Sequence, residues 1–198
     1  MIAKQLRPAI SLTAVLMIIT GFAYPGVVTV LARTLFPAQA NGSIVSSHGR
    51  VIGSSLIGQG FSQPWYFHPR PSAAGDGYDA TSSGGTNKGP TDRKLADTLI
   101  ASAIADAEKD GAVKGHIPAD MVTSSASGLD PHISPANAEL QIARVSVARG
   151  VDAARIRTLV ERVTESRQFG FLGEPRVNVL ELNMALDRDI PRQGQPAH

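Results

Sequence analysis

The sequence predicts an α+β protein in two parts, a single N-terminal transmembrane helix followed by a small extracytoplasmic α+β domain. Three observations point there. An uncharged run of 25 residues, Pro8 to Ala32, exceeds the roughly 20 apolar residues that cross a bilayer core. Behind it, strand-like segments near both ends enclose helix-like segments, the pattern of a small α+β domain. The composition, 42% hydrophobic and 18% charged, is too apolar for a disordered chain, and 198 residues accommodate about one domain with an appendage.

The run contains Ile10, Leu12, Val15, Leu16, Ile18, Ile19, Phe22, Val27, Val28, Val30 and Leu31, which together favour insertion by about 3 to 6 kcal/mol. Pro25-Gly26 predicts a kink or a close approach of a partner helix. A cleaved signal peptide is one competitor, since Ala38-Gln39-Ala40 has the small-x-small form of a cleavage site. Its apolar region is normally about 7–15 residues, shorter than this run. A buried core helix is the other, but nothing else in the chain is large enough to enclose it. Lys4 and Arg7 precede the run and Arg33 alone follows it closely. The positive-inside rule then gives a cytoplasmic N-terminus (1–7), a transmembrane helix (8–32), a periplasmic α+β domain (33–190) and a disordered tail (191–198). No later apolar run is long enough for a second span. One helix cannot enclose an ion path, so any part in transport would be played beside other subunits.

In the outer domain, Ser43–Ser46 and Arg50–Ser54 flank the turn Ser47-His48-Gly49 as a hairpin. Residues 58–90 form a long irregular stretch rich in Gly, Pro and Ser. It holds Phe61, Trp65, Tyr66, Phe67 and Tyr78, so it reads as an ordered, packed segment rather than a slack linker. Leu95, Leu99 and Ala103 share a face of a helix over 91–108, and 118–130 is polar and turn-rich. Ser134-Pro135 starts a helix that stops at Gly150. Asp152 caps the next, with the stripe Ile156, Leu159, Val160, Val163. Residues 176–182 read as a strand.

The composition also excludes chemistry. With no cysteine, disulfides, thiolate metal sites and thiol catalysis are absent. Apart from Lys4 and Arg7, basic and acidic residues balance at 17 each. The net charge of +2 therefore marks no nucleic-acid partner. His48, His68, His116, His132 and His198 lack the spacing of a zinc motif. Gly58-Gln59-Gly60 is a fragment of a dinucleotide motif. Residues 83–90 resemble a phosphate loop in composition but lack its order, since Lys88 precedes Gly89-Pro90. An anion-binding nest is one reading of that stretch; a tight packed turn is favoured over it. Six arginines, at 144, 149, 155, 157, 162 and 167, offer either a surface for an acidic partner or lipid head groups, or a solvated face with pairs such as Arg157–Glu161. The solvated face is favoured. No catalytic set is visible from the residues alone.

Four stretches together carry a resemblance. Ser55-Leu56-Ile57-Gly58-Gln59, Phe61, Tyr66-Phe67 and Arg70-Pro71-Ser72-Ala73 form the first. Ser83-Gly84-Gly85-Thr86-Asn87 with Gly89-Pro90 is the second, Val122 through Pro135 the third, and Val177 through Asn183 the fourth. With the N-terminal span they resemble the C subunit of the bacterial Kdp-type potassium-transporting P-type ATPase, over about residues 5–190. Thr86 stands where the family usually has Ser, which keeps the hydroxyl.

The resemblance implies an accessory, non-catalytic subunit of a high-affinity potassium uptake complex in the inner membrane. Its partners there would be a potassium-selecting channel-like subunit and an ATP-hydrolysing subunit, with membrane lipid around its helix. It implies a role in assembly and as a catalytic chaperone that raises the ATP affinity of the ATP-hydrolysing subunit. Gln141 is the implied nucleotide contact and ATP the implied ligand. A domain outside the membrane cannot touch cytoplasmic ATP, so the predicted topology conflicts with that contact. The aromatic density of 58–90 suggests that this loop docks on the outer mouth of the potassium-selecting subunit. The alternatives are a membrane-anchored or secreted periplasmic hydrolase, or an independent binding module.

Overall fold

A computed structural model describes every residue of the chain except Met1, His48, Pro90, Lys114 and residues 193–198. His48 and His198 of the histidine inventory, and residues 193–198 of the expected disordered tail, therefore lie outside the described residues. The chain divides into two compact units, Met1–Ser54 and Ser55–His198.

The first unit is one long apolar helix and a hairpin. The helix runs through α1 (Ile2–Ile18), a π-helical turn (Ile19–Ala23) and α2 (Tyr24–Leu35). Its candidate span covers Lys4–Leu35, 32 residues, none of whose most apolar stretch is buried within the protein. That outward apolar surface excludes the buried-core-helix reading. The irregularity expected at Pro25 falls just before it. Pro25 has no N–H to give the carbonyl of Gly21, and its ring crowds that carbonyl. The widened turn, in which Tyr24 N–H reaches Ile19 O, takes up the mismatch without ending the helix. A short α3 (Pro37–Ala40) leads into β1 (Ile44–Ser47), which pairs antiparallel with β2 (Arg50–Ser54). A bulge between Val45 and Ser46 shifts the register, and Ser54 Oγ donates to Gly42 O at 2.7 Å.

The second unit is a mixed helix and sheet unit. It contains a π-helical turn (Leu95–Ile100) that runs into α4 (Ala101–Lys109), then α5 (Ala119–Val122), β3 (His132–Ile133), α6 (Pro135–Arg149), α7 (Ala153–Val163), β4 (Val177–Asn178) and α8 (Val179–Asp189). β3 and β4 pair antiparallel, His132 opposite Asn178 and Ile133 opposite Val177. The core joins one face each of α6, α7 and α8, through Ile142, Val145, Ile156, Leu159, Leu182 and Leu186, and takes in Phe67 from the irregular segment.

α6 forms where the sequence places it. Ser134 Oγ accepts from Asn137 N–H at 3.1 Å, Pro135 occupies the first turn, and Gly150 closes the helix at φ 67°, a conformation glycine adopts without a Cβ penalty. Asp152 Oδ1 accepts from Ala154 N–H at 2.9 Å and starts α7. The strand expected over 176–182 is only two residues long. Asn178 ends it by turning its side chain to the N–H of Glu181 at 3.2 Å, and the rest becomes α8. An apolar run of this length is ambiguous between strand and helix, and the cap decides it here.

Candidate functional site

The four sequence stretches that carry the family resemblance are far apart in the chain yet meet in one place. Gly58 N–H donates to Leu129 O at 2.8 Å. A Cβ on Gly58 would fall 2.7 Å from Asp130 O, so only glycine permits that approach. Ser72 Oγ donates to Gly128 O at 2.6 Å. Gly84 N–H donates to Ser127 O, and Val179 N–H to Pro131 O, both at 2.9 Å. Asn178 Nδ2 donates to Ser55 O at 2.8 Å. Gly128 sits at φ 68°, where a Cβ would meet Ala74 N and Gly84 O at 2.6 Å. In 83–89, Gly84 has committed its N–H to Ser127 and a Cβ on Gly85 would fall 3.1 Å from Ala126 O, as the packed-turn reading expects.

Asp130 is the charged centre of this node. It accepts from Arg70 Nη1 at 2.8 Å and from His132 N–H at 3.0 Å. Burial pushes its carboxyl up, but the bonds from His132 and Arg70 outweigh it and hold the pKa at about 2.

A second cluster holds the segment Tyr66-Phe67-His68. Gln141 brackets His68: its Oε1 accepts from His68 N–H at 2.7 Å and its Nε2 donates to His68 O at 3.0 Å. Asn183 does the same for Phe67, at 2.8 and 3.0 Å. Two side-chain amides, from α6 and α8, thereby supply the bonds that a neighbouring strand would give. Gln141 is 1% exposed and also donates to Asn137 Oδ1 at 2.7 Å while accepting from Arg144 Nη2 at 2.7 Å. Its four hydrogen-bonding positions are therefore filled by the protein. Burial, with Arg144 close by, lowers the His68 pKa, so this ring is neutral at pH 7.

Gln141, His68, Asn137 and Asp110 border a cavity of about 640 Å³, which Leu99 of the π-helical turn and Ala103 of α4 also line. A second cavity, about 610 Å³, lies beside Thr86, Lys88 and Lys94. Lys88 is paired with Asp92 at 2.8 Å. Among the described residues no three His, Asp or Glu side chains stand close enough to share a metal ion.

The arginine row departs from the solvated face at Arg144 and Arg149. Arg149 is 2% exposed. It donates to Trp65 O, Ile190 O and Asp187 Oδ1 at 2.8–2.9 Å, and its guanidinium lies 5.3 Å from the Tyr66 ring centre. Arg144 holds Pro64 O and Tyr66 O at 2.6 and 2.9 Å and lies 2.7 Å from Asp110. Arg157 engages Glu139 of α6 through two nitrogens, rather than Glu161 within its own helix. Arg155, Arg162 and Arg167 face outward. Arg162 pairs with Asp189, and Arg167 with Glu174 at 2.6 Å. The aromatics of 58–90 are likewise turned inward: Phe67 is fully buried, Tyr66 OH donates to Asp187 at 2.6 Å, and Tyr78 OH donates to Arg70 O. Burial raises the Tyr78 pKa to about 12. None of the five belongs to an exposed apolar face.

Asn137 was not singled out in the sequence, and the buried roles of Asn183, Arg144 and Arg149 were not read from it. Asn183 did leave a trace, as an amide on the apolar face formed by Val179, Leu182 and Leu186. Arg144 and Arg149 stood out only as part of a charged row, because the carbonyls they satisfy are about 80 residues away.

One helix long and apolar enough to cross a membrane, followed by a small helix and sheet unit whose loops are locked together by glycines and buried amides, defines the class of protein. Comparison with known proteins names the family. The family described as KdpC, K+-transporting ATPase, c chain, matches residues 6–188, and the chain belongs to it. The potassium-transporting ATPase KdpC subunit of Gemmatimonas aurantiaca is 60% identical over 185 residues, covering 93% of this chain and 92% of that protein. The same-named subunits of Koribacter versatilis and Rhodospirillum rubrum are 53% and 54% identical. Each alignment covers 95% of this chain, with 96% and 97% of the relative.

Proposed function

We propose that this chain is the accessory, non-catalytic C subunit of a Kdp-type potassium-transporting ATPase. It is held in the inner membrane by residues 8–32, with residues 1–7 in the cytoplasm and the α+β domain of 33–190 on the periplasmic side. The observation that carries the reading is the family match along nearly the whole chain, supported by the convergence of all four signature stretches on one loop node. The outward apolar surface of Lys4–Leu35 supports the anchor, and Lys4 with Arg7 against Arg33 supports the orientation. Its partners are the potassium-selecting, channel-like subunit and the ATP-hydrolysing subunit.

Purification of the tagged chain from detergent-solubilised membranes tests this. Two larger polytopic polypeptides should accompany it. Recovery of the chain alone, or free in the periplasm and trimmed behind Ala40, would count against it and favour a secreted module.

The chaperone role toward ATP, with Gln141 as the contact, is a finer proposal. A nucleotide at Gln141 would have to displace bonds to His68, Asn137 or Arg144. Gln141→Glu keeps the length of the side chain and its acceptor oxygen but replaces two donors with a second acceptor. If Gln141 serves nucleotide, this variant should raise the KM for ATP of the whole complex at least about fivefold, about 1 kcal/mol, in addition to the fall in melting temperature that the lost bonds to His68 and Asn137 bring in either case. If it serves packing alone, the melting temperature should fall while KM stays in place.

A further inference from the structure

One apolar feature of the second unit points away from its core. Between α7 and β4 the chain makes a tight excursion held by its own backbone. Glu165 and Arg176 exchange N–H···O bonds at 2.8 and 3.1 Å, and Gln168 and Leu172 exchange a pair at 2.9 Å. Ion pairs flank the rungs, Arg176 with Glu165 at 2.7 Å and Arg167 with Glu174 at 2.6 Å. At the tip, Phe169 is 86% exposed, Phe171 71% and Leu172 48%. Phe169 also lies at φ 52°, a left-handed conformation that costs an L-residue with a bulky side chain about 1–2 kcal/mol. Gly170 follows it at φ 81°, so the turn could have been built with glycine at the strained position. Instead a strained phenylalanine is presented to the outside by a braced stem, as expected where a side chain is retained for what it contacts.

We propose that the Phe169–Leu172 tip is a docking knob that inserts Phe169 and Phe171 into an apolar pocket on another protein subunit of the complex. This rests on the subunit reading above. The charge pattern selects the occupant. Binding an anionic lipid surface uses unpaired Lys or Arg beside the apolar tip. Here the stem carries two arginines and two glutamates, each paired within the hairpin, and has no net charge to attract headgroups. An apolar pocket rimmed by neutral or mixed polar groups fits a neutral tip. The bracing lowers the ordering cost of binding, and two aromatic side chains close together are the usual anchors of a protein interface.

The test places a photo-crosslinking group at the tip, Phe171→benzoylphenylalanine, in the full-length chain in native membranes. The expected product is a covalent adduct with one of the larger subunits. Adducts with lipid only, with a second copy of this chain, or with nothing overturn the proposal. A companion variant, Phe169→Gly with Phe171→Ser, removes both anchors and relieves the strained φ. The chain should keep or raise its melting temperature while recovery of the partner subunits falls about tenfold or more. Full recovery with this variant, when the unaltered chain also recovers partners, overturns the knob alone. Failure of the unaltered chain to recover partners overturns the subunit reading and the knob together.

Discussion

Asp130 joins several loops through one carboxylate. It pairs with Arg70 at 2.8 Å, receives the N–H of His132, and its own carbonyl leaves no room for a Cβ on Gly58. Its pKa falls from 3.8 to about 2 on folding. A depressed carboxylate contributes stability that is fully present above its unfolded value and is lost as pH falls through its folded value. The window is therefore about pH 4 down to about pH 2, and the contribution is about 2 kcal/mol. Asp130→Asn should remove it at neutral pH, and should flatten the loss of stability between pH 4 and pH 2. Denaturant unfolding of the purified chain across that range reads both. A variant whose stability falls with the same slope as the parent would show that other carboxylates carry the acid response. The residue type alone could not announce this role, because Arg70 is recruited from a stretch of chain 60 residues away.

At the scale of elements, what was legible is what the chain decides locally. Ser134, Pro135, Gly150 and Asp152 each act on backbone groups within about four residues, and the bounds of α6 and the start of α7 follow from them. The hairpin of β1 and β2 is equally local. What misled was decided at longer range or by a competing local signal. The run 177–182 has the alternation of a strand, but Asn178 followed by Glu181 is also a helix start, and β3 offers β4 only two residues to pair with. The pairing expected for Arg157 within α7 lost to Glu139, a residue on the helix packed beside it. The irregular segment 58–90 was recognisable as ordered from its aromatics. The agents that order it, Gln141 and Asn183, are amides whose partners are backbone groups 73 and 116 residues away. No periodicity reports a side chain that stands in for a strand.

Across the whole molecule, stability and location are assigned to different parts of the chain. Every residue of the buried core cluster lies between Phe67 and Ile190, whereas none of the most apolar stretch of the long helix is buried within the protein. A fragment that begins at Ser55 keeps all of that core, the loop node and the amide clamps. It should therefore melt within about 3 °C of the full-length chain, a change of under about 1 kcal/mol for a unit of this size. Its association should change far more. On the proposed topology, a helix-tethered domain meets partners in the same membrane at a high effective concentration, of the order of mM for short tethers, and a freed domain loses that advantage without losing a contact made by the domain itself. The fragment should then fail to join the complex at ordinary expression levels and join it when supplied at near-mM concentration. Differential scanning calorimetry and titration of the fragment into complex lacking this subunit measure the two halves. A fragment that melts well below the parent would place part of the folding free energy in residues 1–54. A fragment that assembles normally at micromolar concentration would show that the helix contributes no tethering.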